Sequence, residues 1–207
     1  MTENINGVDD LDLLRHAQGG NEDALNEVLI KHRDRLRRMV AVRMNQKLQG
    51  RVDASDVIQD TFIEASRALD SFLENPTMPV FVWLRRLAGE KLIQAHRSHL
   101  GAQKRAAGRE QQNYGGAPAA TSQSLAIQLA ANMTSPSQAA QKNEAKDQLM
   151  AALENMDDMD REILTLRHFE HLSSRETADV VGMSYEAVKK RYVRALDKLQ
   201  KILVEPK

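Results

Sequence analysis

Residues 173–201 read SSRETADVVGMSYEAVKKRYVRALDKLQK, and they decide the fold. Ser173 followed by Glu176 has the spacing of a capping box, in which hydroxyl and carboxylate satisfy backbone N–H groups at a helix start. From there to Val181 is room for about two turns before Gly182, without a Cβ, supplies a compact bend. Ser184 is placed to cap a second helix. In that helix Val188, Tyr192, Ala195 and Leu199 recur at three- and four-residue spacing, the period of a buried stripe. Lys189, Lys190, Arg191, Arg194 and Lys198 project between them. A short packed helix presenting a second, cationic one is the helix-turn-helix arrangement, whose second helix lies in the major groove of DNA. Basic amphipathic helices also coat the surfaces of ordinary bundles, so the stretch by itself leaves both readings open.

The rest of the chain bounds the answer. Its 207 residues suffice for one domain or two small ones. Lys and Arg total 29 against 29 Asp and Glu, so net charge gives no argument for nucleic acid. Distribution does. Residues 31–51 hold eight basic residues against one acidic, Asp34; residues 53–74 hold six acidic against Arg67; residues 85–109 hold seven basic against Glu90. Alternating patches suit a protein that meets both nucleic acid and a protein partner, and equally a surface laced with ion pairs. The chain has no cysteine, which excludes disulfides and thiolate metal sites. No stretch approaches the roughly 20 apolar residues of a membrane span, and MTENINGVDD lacks a signal pattern, so a cytoplasmic chain is expected, with no membrane insertion. Aromatic residues make up only 4%, and long periodic segments point to an all-α fold.

In chain order, residues 10–18 read as a first helix ended by Gly19-Gly20. Residues 22–48 read as a long second one with Leu25, Val28, Leu29, Leu36, Met39, Val40 and Val42 inside, and with Arg37-Arg38 placed either to meet phosphate or to face solvent. Asp53 is placed to cap a third helix. Val57, Ile58, Phe62, Ala65 and Leu69 face its core, and Asp56, Gln59, Asp60 and Glu64 make an acidic and polar surface. Pro76 and Pro79 turn the chain into VFVWLRRLAGEKLIQAHRSHL, where Phe81, Leu84, Leu87, Ala88 and Leu92 make an inner side. Trp83, Arg85, Arg86, Lys91, His96 and Arg97 make an aromatic and basic outer side able to stack on bases and approach phosphates. His96 and His99 read as surface groups rather than metal ligands. Residues 101–143 turn Ala-, Gln-, Gly- and Ser-rich and read as a flexible linker, with a basic start, GAQKRAAGRE, and a short helix in TSQSLAIQLAANM. Two small helical domains follow, over residues 10–100 and 144–203. In the second, Asp157, Asp158 and Asp160 sit at a helix N-terminus, as the helix dipole prefers, and Ile163, Leu164, Leu166 and Phe169 pack behind the helix-turn-helix.

With both halves read, the sequence resembles the extracytoplasmic-function (ECF) branch of the sigma-70 family of bacterial RNA polymerase sigma factors. DASDVIQDTFIEASRALDSF is similar to the region-two helix that grips the clamp helices of the polymerase largest subunit. FVWLRRLAGEKLIQAHR is similar to the adjoining segment that opens and reads the promoter minus-ten element, and residues 153–199 resemble region four, which reads the minus-thirty-five element. The resemblance spans about residues 22–99 and 145–202. It implies core-polymerase contacts by Asp56, Gln59, Asp60 and Glu64, and minus-ten contacts by Trp83, Arg86 and Arg97. It also implies minus-thirty-five contacts by Glu186, Lys189, Lys190, Arg191 and Arg194, with Val188 and Leu196 in the core. The family often carries Asn and then Asp where this chain has Glu90 and Gln94, and Thr177-Ala178 stands where an apolar residue usually precedes the Ala.

The function implied is transcription initiation by a promoter-specificity subunit without catalytic residues, cofactor or metal. Its partners would be the polymerase core through clamp helices and flap, promoter DNA, and an anti-sigma factor. Unstacked bases held near Trp83 and Arg97 would offset the cost of melting, and phosphate contacts would make binding salt-dependent. The alternative is a conventional helix-turn-helix transcription regulator, which would bind a palindromic duplex site without polymerase. An enzyme would have to use Asp53, Asp56, Asp60 and Glu64 as metal ligands or His96 or His99 as a base, yet no HExxH, nucleophile–base pair or phosphate loop is present. An adaptor or anti-sigma protein would leave the DNA-reading half idle.

Overall fold

The computed structural model describes residues 5–44, 52–100, 113–133 and 139–204. These form helices throughout apart from one short hairpin: α1 (Ile5–Gln18), α2 (Glu22–Arg43), α3 (Ala54–Glu74), α4 (Val80–Leu100), β1 (Asn113–Tyr114), β2 (Ala117–Pro118), α5 (Ser122–Met133), α6 (Ala139–Glu154), α7 (Asp158–Leu164), α8 (Ser174–Val181) and α9 (Tyr185–Val204). The fold is all-α, with two helical bundles. Two compact units divide it, one of Met1–Ala41 and Lys47–Pro118, the other of Val42–Gln46 and Ala119–Lys207. The basic stretch 101–110 lies outside the described residues.

In the first unit α3 packs on α4, and α1 touches both. Asp53 caps α3 by accepting the Ser55 N–H at 2.9 Å, and the expected apolar stripe of Val57, Ile58, Ala65 and Leu69 is buried with Phe72. Phe62 and Leu25 are half-buried. Every residue from Val80 to Arg85 is buried, so the start of α4 is enclosed on all sides rather than split into inner and outer faces. The stretch read as linker is structured where it is described. Tyr114 pairs with Ala117 and Asn113 with Pro118 in an antiparallel hairpin, and this hairpin packs on α4. Gly89 makes the contact possible: a Cβ there would stand 2.6 Å from that of Ala117.

In the second unit α5 packs on α6, and α9 gathers α6, α7 and α8 around it. One cluster joins Val42, Leu125, Leu149, Leu153 and Phe169; another joins Ile163, Ala178 and Val188. Between α7 and α8 lies a single π-helical turn, Thr165–Phe169, in which the Glu170 N–H reaches back to Thr165 O at 3.0 Å. The extra residue rotates Glu170 inward, where it meets Arg43 Nε at 2.5 Å, while Arg43 Nη2 meets Glu162 at 2.5 Å. All three side chains are buried. Burial works against the Arg43 charge, but the two carboxylates more than compensate and hold the guanidinium above its ordinary range.

Candidate nucleic-acid and protein interfaces

The helix-turn-helix forms as the capping pattern predicts. Ser173 Oγ accepts the Glu176 N–H at 3.1 Å, and Glu176 accepts the Ser173 N–H at 2.7 Å. Gly182 ends α8 at φ 68°, in the left-handed region that Gly enters without a Cβ penalty. Thr177 is buried, and its hydroxyl donates to Ser173 O at 2.8 Å, so a polar residue is accommodated there. Ser184 Oγ accepts the Ala187 N–H at the start of α9.

On α9, Val188 and Ala195 are buried, with Tyr192 and Leu199 half-buried against them. The opposite side exposes Glu186, Lys189, Lys190 and Arg194, which with Val193 line one shallow concave surface. One expectation is corrected here. Leu196 is 37% exposed rather than core, because it lies a full residue step away from the Val188–Ala195 stripe. Arg191, half-buried beside this surface, forms an ion pair with Asp157 at 3.1 Å and with Asp160 at 2.9 Å. Val193, 56% exposed among the cations, was missed: β-branched apolar residues read as core unless the stripe's phase is followed.

On α3, Asp56, Gln59 and Asp60 stand exposed. Asp56 and Asp60 line one side of an open groove of about 510 Å³ that Ile63, Arg67, Lys91 and Gln94 continue. Glu64, one turn further along, differs. Its carboxylate accepts from Lys91 at 2.7 Å, and that hydrogen bond first, then the Lys91 charge, hold it below the usual carboxylate range. It therefore braces α3 on α4 instead of extending the free acidic face.

The outer side predicted for α4 is redrawn most. Trp83 is 4% exposed and stacks on Phe72, with ring centroids 4.3 Å apart, so it is not presented for base stacking. Arg85 and His96 are buried as well, and Arg85 Nη1 reaches Gly115 O at 3.4 Å. The reason is the hairpin and α3, which cover this side of α4. Arg86 and Arg97 are exposed. Arg86 lies 3.4 Å from Glu90, so the carboxylate at that unusual position has a cation beside it. Among the described residues no group of His, Asp and Glu side chains could hold a metal ion.

Comparison with known proteins agrees with the two-bundle all-α fold. A family model for sigma-70 region 2 matches residues 29–100, and one for sigma-70 region 4 matches residues 146–199. The RNA polymerase sigma factor CnrH of Cupriavidus metallidurans is 29% identical over 193 residues, 92% of each chain. The ECF RNA polymerase sigma factor SigD of Mycobacterium tuberculosis is 29% identical over 192 residues, covering 93% of this chain and 82% of SigD. The RNA polymerase sigma-H factor of Pseudomonas aeruginosa is 26% identical over 200 residues, 94% and 93% of the two chains. In fold, the chain is similar to CnrH in its complex with the cytosolic domain of CnrY, at a TM-score of 0.55 and 23% identity over 96% of this chain and 99% of that one.

That complex also overturns the bare expectation of a cytoplasmic chain. In it CnrH is bound to the cytosolic domain of CnrY. What the structure shows is narrower: among the described residues no helix is long and apolar enough to cross a membrane.

Proposed function

This chain belongs to the ECF branch of the sigma-70 family of RNA polymerase sigma factors, non-catalytic subunits that direct polymerase to promoters, and we propose how its surfaces divide that work. Residues 10–100 engage the polymerase core and the minus-ten element, and residues 144–203 engage the minus-thirty-five element. Asp56, Gln59 and Asp60 on α3 meet a cationic surface of the largest subunit's clamp helices, with Glu64 stiffening the face through Lys91. Arg86 and Arg97 approach the separated strand, while Trp83 acts from inside by fixing the start of α4. On α9, Lys189 and Lys190 steer to phosphate, Arg194 reaches phosphate or a base edge, and Glu186 accepts from a base amine.

The observation that carries the reading is the pairing in one chain of an unneutralised acidic face on α3 with a complete, capped helix-turn-helix. A conventional regulator has no use for the former. The protein partner we assign besides polymerase is a regulator of the anti-sigma type, supported by the complex of CnrH with CnrY.

The test is association with purified bacterial core polymerase and transcription from a promoter library, comparing wild type with Asp60→Arg. Reversing an interface charge should weaken core association by about tenfold or more and abolish selective transcripts. Unchanged core association in the variant would remove α3 as the docking face. Duplex-site binding with no core association by the wild type would point to the conventional regulator instead.

A further inference from the structure

Arg191 sits in the cationic series of α9, yet its guanidinium is already engaged by two carboxylates at the start of α7. Asp157 Oδ1 accepts from Arg191 Nη2 at 3.1 Å while also capping α7 through the N–H groups of Met159 and Asp160. Arg191 Nε lies 2.9 Å from one oxygen of Asp160, and Lys198 Nζ lies 2.8 Å from the other. Asp160 is 4% exposed. One buried carboxylate thus has a cation beside each oxygen, a hydrogen bond from Lys198 on one and the Arg191 charge alone on the other, and the two cations stand seven residues, or about two turns, apart on α9.

The placement of these cations matters. At about 100° per residue, Arg191 and Lys198 share one narrow strip of the helix. Val188 and Ala195 lie to one side of it, buried, and Lys190 and Arg194 lie to the other, exposed. Apolar contacts are non-directional, and Ala195 offers little shape to index a helix by. Two cations at the border of the stripe, both converging on the buried Asp160, favour the roll of α9 that keeps them beside it. Replacing Arg191 should let α9 roll while its apolar side stays covered.

We propose that Arg191 is a positioning residue: anchored with Lys198 on Asp157 and Asp160, it fixes the roll of α9 and so sets which way Lys190 and Arg194 face on duplex DNA. This rests on the promoter reading above and replaces Arg191's direct DNA contact within it.

The two roles separate by salt. With the full chain in holoenzyme, promoter affinity is measured against salt concentration and against duplexes carrying single mismatches in the minus-thirty-five element. Lys190→Ala, the reference phosphate contact, should reduce the salt slope by about 0.9. Arg191→Ala should lower discrimination between matched and mismatched duplexes several-fold, and whatever change of slope follows from turning Lys190 with the helix should be shared by Asp160→Asn. Asp160→Asn should reproduce that loss, the double variant should add little to either, and Arg191→Lys should recover part of the discrimination. A slope reduced by Arg191→Ala but not by Asp160→Asn makes Arg191 a DNA contact and overturns the proposal. So does a lower melting temperature with discrimination intact, which is a purely structural role. If Asp160→Asn fails to fold, Arg191→Ala and Arg191→Lys still decide through slope and discrimination. A wild type that forms no promoter-selective complex with core sinks the promoter reading itself, and is recognised because every variant then fails alike.

Discussion

Asp10 shows how a single side chain makes the first unit depend on pH. It is 2% exposed and accepts from Lys31 at 2.6 Å, with His32 Nε2 at 2.8 Å on its other oxygen. Burial is the largest influence and raises its pKa, but the hydrogen bonds from His32 and Lys31, together with their charges, outweigh it and the net shift is downward. A carboxyl lowered on folding stabilises the fold above its unfolded value, about 4, and that stabilisation is lost as pH falls through the lowered folded value. Asp10→Asn should therefore melt below wild type near neutral pH, with the gap closing as the solution is acidified. Thermal melts at a series of pH values check this, and a gap that stays constant would show that Asp10 acts by packing alone. Arg191 and Trp83 carry the same lesson at this scale. Their residue types are those of DNA contacts, and their surroundings assign them to an ion pair and an aromatic stack.

At the scale of elements, α8 is only eight residues long, too short to hold by propensity. Its two ends are fixed by residues that can be removed singly. Ser173→Ala deletes the cap and should cost about 1 kcal/mol. Gly182→Ala forces a side chain into the left-handed region for about 1–2 kcal/mol, although the space around it is open. The ends share no partner, so the two costs should add in denaturant unfolding. A double variant no worse than either single one would mean that α8 is held by its packing on α9 and not by its caps. The hairpin at 113–118 is a different kind of element. It has two-residue strands and no amphipathic period of its own, and it exists through the close approach that Gly89 leaves open.

The second unit is discontinuous in sequence: it takes Val42–Gln46 along with Ala119–Lys207. A fragment of residues 119–207 would therefore lack Arg43 and leave Glu162 and Glu170, both buried, as like charges without the guanidinium between them. Glu162→Gln with Glu170→Gln should raise the melting temperature of that fragment by roughly 5 °C or more. The same pair of substitutions in the full chain, where they remove two partners of a buried guanidinium, should lower it. If the pair of changes has one sign in both contexts, Arg43 is not what neutralises the site. The sequence by itself determined a great deal here. Helix positions, the capping box, the Gly182 turn, the acidic run on α3 and the cationic run on α9 all follow from local spacing, because caps and helical periods are set by residues within four positions of one another. The tertiary structure alone decided which of the charged and aromatic groups are free to meet a partner. Glu64 found Lys91 across 27 positions, Arg191 found Asp157 across 34, and Arg43 found Glu170 across 127. Such pairings depend on which faces are brought together in space, and helical periodicity carries no record of them.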